Sequence, residues 1–149
     1  MRRIRRLLLG FAFINVAFVL IARLVIRPRI PSFGGPEDDS VRLAAITDGI
    51  EFVSHAGALR DMEAIAIMGG IQVDLRNATL ADGATLRITA AMGGVQVYVP
   101  EKWKVRVTSH VVAGGVDADV TPAEHLPPEN PTLMVDVRAY MGGVEIKAQ

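Results

Sequence analysis

Apolar and polar residues alternate along most of the chain after residue 40, and pairs of glycines interrupt the alternation at similar intervals. After each pair the pattern has a period of two, which is typical of a β-strand with one buried face. Four copies of this unit begin at Met68, Met92, Ala113 and Met141, and a weaker copy begins at Thr47. The repetition predicts a fold built from similar strand units that stack on one another.

The apolar positions change parity across the glycine pairs. Ile88 and Ala90 precede the pair at 93–94, whereas Val95 and Val97 follow it. A straight strand would turn its second half away from the core, so each pair is predicted to form a corner that keeps both halves facing one core. Glycine suits such a corner because it lacks a Cβ atom and tolerates positive φ. The predicted corner residues are Gly69, Gly70, Gly93, Gly94, Gly114, Gly115, Gly142 and Gly143.

The repeat length favours one all-β architecture over another. The second glycines, at positions 49, 70, 94, 115 and 143, stand 21, 24, 21 and 28 residues apart, which is about one circuit of a β-solenoid. An antiparallel sandwich is the alternative, because it also has short strands at regular spacing. The near-identical corners favour a small right-handed β-solenoid, or β-helix-like domain, of about four to five coils over residues 41–149. One unit departs from the parity rule, since Ile65 and Ile67 precede Met68.

The N-terminal part has a different pattern. Residues 7–26 are almost continuously apolar, and four arginines lie within residues 1–6. Twenty helical residues rise about 30 Å, the thickness of a bilayer's hydrocarbon core, so one transmembrane anchor is predicted. A cleaved signal peptide is the alternative, but Arg23 and Arg27 stand where its small-residue cleavage site should lie. The positive charge of residues 1–6 favours a cell-membrane protein whose domain lies outside the cytoplasm.

Charge and composition argue against some classes of partner and site. Residues 27–40 are rich in proline, glycine and charge and are predicted to be a flexible linker. The formal net charge is zero, but seven arginines lie within the first 29 residues, so the remainder of the chain is acidic. An acidic domain repels phosphate backbones, which argues against a nucleic-acid partner. The chain has no cysteine, so a disulfide or a thiolate metal site is impossible.

The sequence predicts no catalytic residue, no cofactor and no metal site. Asp74 and Asp119 fall where a calcium-binding glycine repeat has its aspartate, but Tyr98 and Lys147 occupy the same place in the other copies. Repeated calcium sites need carboxylates repeated in register, so these aspartates are interpreted as solvent-facing strand residues. None of the histidines has a second ligand at metal-binding spacing; they are His55, His110 and His125.

Two segments carry a family resemblance. After Gly-Gly-Val, the segment 87–107 has an alternating strand that ends in Val-Pro, followed by an acid, a Trp and Lys-Val, and the segment 135–149 repeats the Gly-Gly-Val corner. The matching residues are Gly93, Gly94, Val95, Val99, Pro100, Glu101, Trp103, Lys104, Val105, Gly142, Gly143, Val144, Glu145, Ile146 and Lys147. The domain resembles the C-terminal domain of LiaF-type proteins, the cell wall-active antibiotics response family. The resemblance implies membrane association and a regulatory, non-enzymatic role, typically the restraint of a sensor kinase. LiaF-type proteins have several membrane helices before this domain, whereas one apolar segment precedes it here.

Three functional hypotheses follow. The first is a membrane-anchored regulator or sensor of cell-envelope stress that acts through contacts with a membrane protein such as a sensor kinase. The second is a structural scaffold that forms homo-oligomers through the solenoid ends. The third is a cell-wall polysaccharide-binding module. Aromatics at Tyr98, Trp103 and Tyr140 are the candidate partner-binding residues on the surface. For Trp103, which follows Pro100-Glu101-Lys102, the favoured alternative is that it covers a corner of the coil.

Overall fold

The computed structural model describes residues 16–17, 20–21, 24–25 and 29–149. The basic segment at residues 1–6 lies outside the described residues, and so does most of the predicted anchor at residues 7–26. Within the described part of the chain, no helix has the length and apolar character needed to cross a membrane.

Eight β-strands and a short 3-10 helix make up the domain. The strands are β1 (Ser40–Ala45), β2 (Gly49–Val53), β3 (Leu59–Ala66), β4 (Gly70–Asp74), β5 (Leu80–Ala90), β6 (Gly94–Val99), β7 (Lys104–Asp119) and β8 (Thr132–Ala148). The 3-10 helix, Ala123–His125, lies in the connection between β7 and β8.

The strands form two parallel ladders that share β7 and β8. The first ladder contains β1, β3, β5 and the first halves of β8 and β7. The second contains β2, β4, β6 and the second halves of the same two strands. Each circuit of the chain adds one strand to each ladder, so the fold is all-β, parallel and solenoid-like. This confirms the predicted fold class against the antiparallel sandwich, and the hand of the coil stays a prediction.

Burial confirms the parity switch and extends it to the unit that seemed to depart from it. In β5 the buried residues include Ile88 and Ala90, and in β6 they are the odd-numbered valines. Before Met68 the buried residues are Ala64 and Ala66, whereas Ile65 is only half-buried. The interpretation that this unit departs from the parity rule was therefore wrong, because its even-numbered alanines, and not Ile65 and Ile67, face the core. A small side chain suits Ala66 because the corner of the next coil packs closely on it: a Cβ atom at Gly93 would lie 3.2 Å from the Ala66 Cβ atom.

The last two strands are exchanged relative to their order in the sequence. β8 lies between the third coil and β7, so β7 is the outermost strand of both ladders. The composition of the two strands gives a physical reason. Val135, Val137 and Ala139 of β8 are at most 2 % exposed, whereas β7 carries Ser109 at a core-facing register and is exposed along most of its length. The more apolar strand takes the inner place because there it is covered on both sides.

The end of the solenoid that carries β1 is covered by residues 32–39, from the segment predicted as a linker. Phe33 and Arg42 exchange backbone hydrogen bonds of 2.9 and 2.8 Å, and the Arg42 guanidinium lies 5.3 Å from the Phe33 ring centroid. The Ser32 hydroxyl accepts a 3.0 Å hydrogen bond from the Ala44 amide. These contacts cover the outer edge of β1.

Candidate functional site

The first glycine of each pair is required by close packing between coils. Gly69 lies against the carbonyl oxygen of Asp48, Gly93 against that of Gly69, and Gly142 against that of Gly93. A Cβ atom at any of these positions would overlap the neighbouring oxygen. Gly114 packs on Gly142 in the same way and also has a φ of 130°. This column of glycines therefore lets the corners stack backbone against backbone.

The second glycine of each pair has no such requirement. These residues are aligned across the second ladder, are all exposed and form one row, which we call the glycine row: Gly49, Gly70, Gly94, Gly143 and Gly115. A Cβ atom would meet nothing closer than 3.8 Å at any of them, and none has positive φ. Along this row, the outer surface of the second ladder therefore has no side chains.

The glycine row forms the floor of a groove that crosses the second ladder. The groove has a volume of about 890 Å³ and involves all five strands of the ladder. Five strands at the usual spacing give it a length of roughly 19 Å. Two positions beyond each glycine, the outward side chains form a polar row along the groove: Glu51, Gln72, Gln96, Glu145 and Asp117.

Hydrogen bonds fix the centre of the polar row. Gln96 Nε2 donates a 2.7 Å hydrogen bond to Glu145 Oε2, and Lys147 Nζ lies 2.8 Å from Glu145 Oε1. The hydrogen bonds from Lys147 and then Gln96 lower the pKa of Glu145, and the same contact raises the pKa of Lys147. Glu51 and Asp117, at the two ends of the row, have no hydrogen bond or ion pair from their side chains within the described part of the chain. The groove therefore presents carboxylate charge at both ends.

A second polar cluster lies beside the groove. Arg76 Nη2 donates a 2.7 Å hydrogen bond to Asp74 Oδ2, and Arg76 Nε a 3.0 Å bond to Asp74 Oδ1. The hydrogen bonds from the Arg76 side chain hold the pKa of Asp74 below its usual value, and Asp74 raises the pKa of Arg76. The Arg76 guanidinium also lies 5.6 Å from the ring centroid of Tyr98. The two hydrogen bonds and the ring contact of the Arg76 guanidinium fix Asp74 and Tyr98, which are partners near the ends of β4 and β6.

The structure separates the three aromatics predicted to form one surface. Trp103 is 2 % exposed and packs in the core, so its place in a partner-binding surface is corrected. It turns inward because a turn, closed by a 3.0 Å hydrogen bond from its amide to the Pro100 carbonyl, precedes β7. Tyr98 is half-buried next to Arg76, whereas Tyr140 is 49 % exposed at the corner of β8.

The groove itself was not predicted, although the sequence contains its signal. In every copy the second glycine is followed two residues later by Glu, Gln or Asp. That spacing places the glycine and the polar side chain on the same outward face of one strand. Within the described residues, no group of three or more histidines and carboxylates is arranged to hold a metal ion. The glycine row exposes backbone groups and the polar row supplies carboxylate acceptors, so the groove can offer both to a ligand that lies across the strands.

Comparisons with known proteins place the domain in a family. The model of the family "Cell wall-active antibiotics response LiaF, C-terminal" matches residues 48–130, which is more than half of the chain. A similar solved structure is that of a "putative cell adhesion protein" from Clostridium sporogenes, with a TM-score of 0.52 and 17 % identity over 74 % of this chain and 55 % of that one. The likeness concerns the fold alone, and the chain spans about half of that protein's length. No curated protein matches the sequence. The chain belongs to the family of the cell wall-active antibiotics response protein LiaF, through its C-terminal domain.

Proposed function

We propose that this chain is a non-enzymatic regulator or sensor of cell-envelope stress that acts through contacts with another protein. The family match over residues 48–130 carries the proposal, because the family is named for the response to cell wall-active antibiotics. The groove is the surface we assign to those contacts. Its exposed backbone floor and carboxylates suit a partner segment that carries hydrogen-bond donors or positive charge.

A membrane protein such as a sensor kinase is the proposed partner. The proposal rests on the apolar residues 7–26, which would hold the chain at the cell membrane as a single-pass anchor. With the N-terminal arginines on the cytoplasmic side, the domain would face outward. Protease treatment of intact spheroplasts tests the orientation: cleavage of the domain is expected, and full protection would place it in the cytoplasm.

Groove-filling substitutions test the role of the groove. G70L and G94L each place a side chain on the floor, where a Cβ atom has room. We expect G70L/G94L to reduce crosslinking and co-purification of the membrane partner under cell-wall stress, with unchanged thermal unfolding. R60L, at an exposed position on β3, is the matched control and should leave both unchanged. Recovery of no membrane protein with the unmodified chain would contradict the proposal.

The scaffold and polysaccharide hypotheses have less support. An open-ended scaffold needs long bare edges at both solenoid ends, but residues 32–39 cover the edge of β1, and the other edge strand at that end, β2, has five residues. Polysaccharide binding through stacked aromatics needs an exposed row, and burial of Trp103 removes one of its three members. Protein contacts therefore remain the proposed mode of action.

A further inference from the structure

The two ends of the solenoid are not equivalent. Val41 and Ala45 of β1 are 2 % and 0 % exposed. At the opposite end, the same registers are occupied by Val107, which is half-buried, and Val111, which is 43 % exposed. In the first ladder the core is therefore closed at β1 and open at β7, whereas in the second ladder the core-facing residues of both edge strands, Ile50 and Phe52 of β2 and Val116 of β7, are half-buried.

The open end also presents a long unpaired backbone edge. β7 has 16 residues, and within the described part of the chain it pairs with β8 alone. Its outer edge therefore has amide and carbonyl groups that no neighbouring strand satisfies. Such an edge is a template for another strand, and proteins usually shorten or cover it.

The charges of β7 make the strand complementary to itself. Lys104 and Arg106 lie near its start, and Asp117 and Asp119 lie near its end. When two copies of the strand pair antiparallel, the start of one meets the end of the other. Lys104 then lies opposite Asp119 of the second copy, and Arg106 opposite Asp117. Opposite charges at facing positions stabilise antiparallel pairs.

In the same register, inward-facing residues of the two copies lie opposite each other, so the two hydrophobic cores become continuous. Val105 comes opposite Ala118 of the second copy, and Val107 opposite Val116. All four occupy the inward parity of β7, because the parity switches at the corner between them. Moving the register by two residues in either direction keeps this parity but retains one of the two charge pairs, Arg106 opposite Asp119 or Lys104 opposite Asp117. The charges therefore select the first register.

We propose that two copies of this chain dimerise through the outer edge of β7, about a twofold axis near Val111 and Val112. The twofold arrangement closes on itself because both copies use the same edge, and at the other end residues 32–39 cover the edge of β1. It completes the open core and satisfies the free backbone edge at once. The polar groove of each copy stays on the outer face of its second ladder, with Asp117 at its end facing Arg106 of the second copy.

Disulfide formation tests the register directly, because the natural chain has no cysteine. Arg106 and Asp117 lie on the outer faces of different ladders, so cysteines at these positions cannot meet within one copy. Across the proposed pair their Cβ atoms would be about 4.5–5.5 Å apart, close to disulfide geometry. Oxidation of the full chain carrying R106C/D117C in membranes should give a covalent dimer. R106C or D117C alone should give none, and a mixture of the two single variants should again crosslink.

Charge reversal tests the same contact without a covalent bond. R106E or D117R places like charges opposite each other twice in the dimer, so each should raise the dissociation constant of the detergent-solubilised full chain by about tenfold or more. The combination R106E/D117R restores opposite charges and should recover dimerisation. E51R, in the same row at the far end of the ladder, is the matched control and should have no effect.

Three outcomes would overturn the inference. They are a monomer at every concentration, assembly that grows without limit, and a stable dimer in which R106C/D117C does not crosslink. The proposed function is tested separately, since the groove-filling variants G70L/G94L should leave the β7 disulfide unchanged. Loss of partner binding with retained crosslinking, or the reverse, tells the two proposals apart.

Discussion

Adjacent glycines in this protein have opposite physical roles, and substitution by alanine should reveal the difference. At Gly93 a Cβ atom would overlap the carbonyl oxygen of Gly69, whereas at Gly94 the nearest atom would be 3.8 Å away. We expect G93A to destabilise the fold by about 2 kcal/mol or more through overpacking of the backbone. G94A should be neutral or stabilising by up to about 1 kcal/mol, because alanine loses less conformational freedom on folding.

Urea unfolding of the two variants measures this difference. The midpoint should fall for G93A and stay or rise for G94A, with similar slopes. Equal destabilisation by both substitutions would contradict the assignment of the second glycines to the groove floor.

The Asp74–Arg76 pair should make a small pH-dependent contribution to stability. The hydrogen bond from Arg76 lowers the pKa of Asp74 in the folded state, so the contribution is present above the unfolded pKa of about 3.9. It is lost as the pH falls through the lower folded value. R76A should therefore lower the unfolding midpoint slightly near neutral pH, since the pair is at the surface and its attraction is screened by solvent. The difference between the unfolding curves of R76A and the natural chain should shrink as the pH falls through the folded pKa of Asp74, and a difference that does not depend on pH would contradict this.

At the scale of elements, the exchange of the last two strands predicts unequal costs for the same substitution. Val144 of β8 and Val116 of β7 are partners in the second ladder, but Val144 is 3 % exposed and Val116 is only half-buried. We expect V144A to cost about 2–3 kcal/mol, from lost burial plus a cavity. V116A should cost less than about 1 kcal/mol in the monomer. Thermal unfolding of the two variants in dilute solution compares them, and equal costs would place β7 in the interior.

The sequence predicts corners and strands well, because alternation and glycine pairs are local signals. The prediction from sequence fails where contacts with other strands determine burial, strand order or register. Ala64 and Ala66 face the core although Ile65 is more hydrophobic, because the space near a corner is set by the packing of the next coil. The exchanged order of β7 and β8 is also invisible locally, since both strands carry the same corner. The groove depends on register across five strands, which a single strand does not specify.

At the scale of the whole molecule, the fold combines a repetitive body with two unlike ends. The repeat produces the groove, since each coil adds one glycine and one polar side chain to the same rows. The ends differ: residues 32–39 cover the edge of β1, and the long outer edge of β7 has no partner strand within the described residues. The proposed function uses the outer face for a partner, and the proposed dimer uses the β7 edge for a second copy.

Amide hydrogen exchange should distinguish the repetitive body of the domain from its open edge at β7. Amides on the outer edge of β7 have no partner strand in one copy, so they should exchange rapidly in dilute full chain and slowly where the dimer is populated. Amides of β6 lie between β4 and β8, so their protection should not depend on concentration, which makes them the internal control. D117R should remove the concentration dependence in β7 while leaving β6 unchanged. Protection of β7 that is high at every concentration would mean that another segment of the same chain covers the edge, and the open end would then be closed without a second copy.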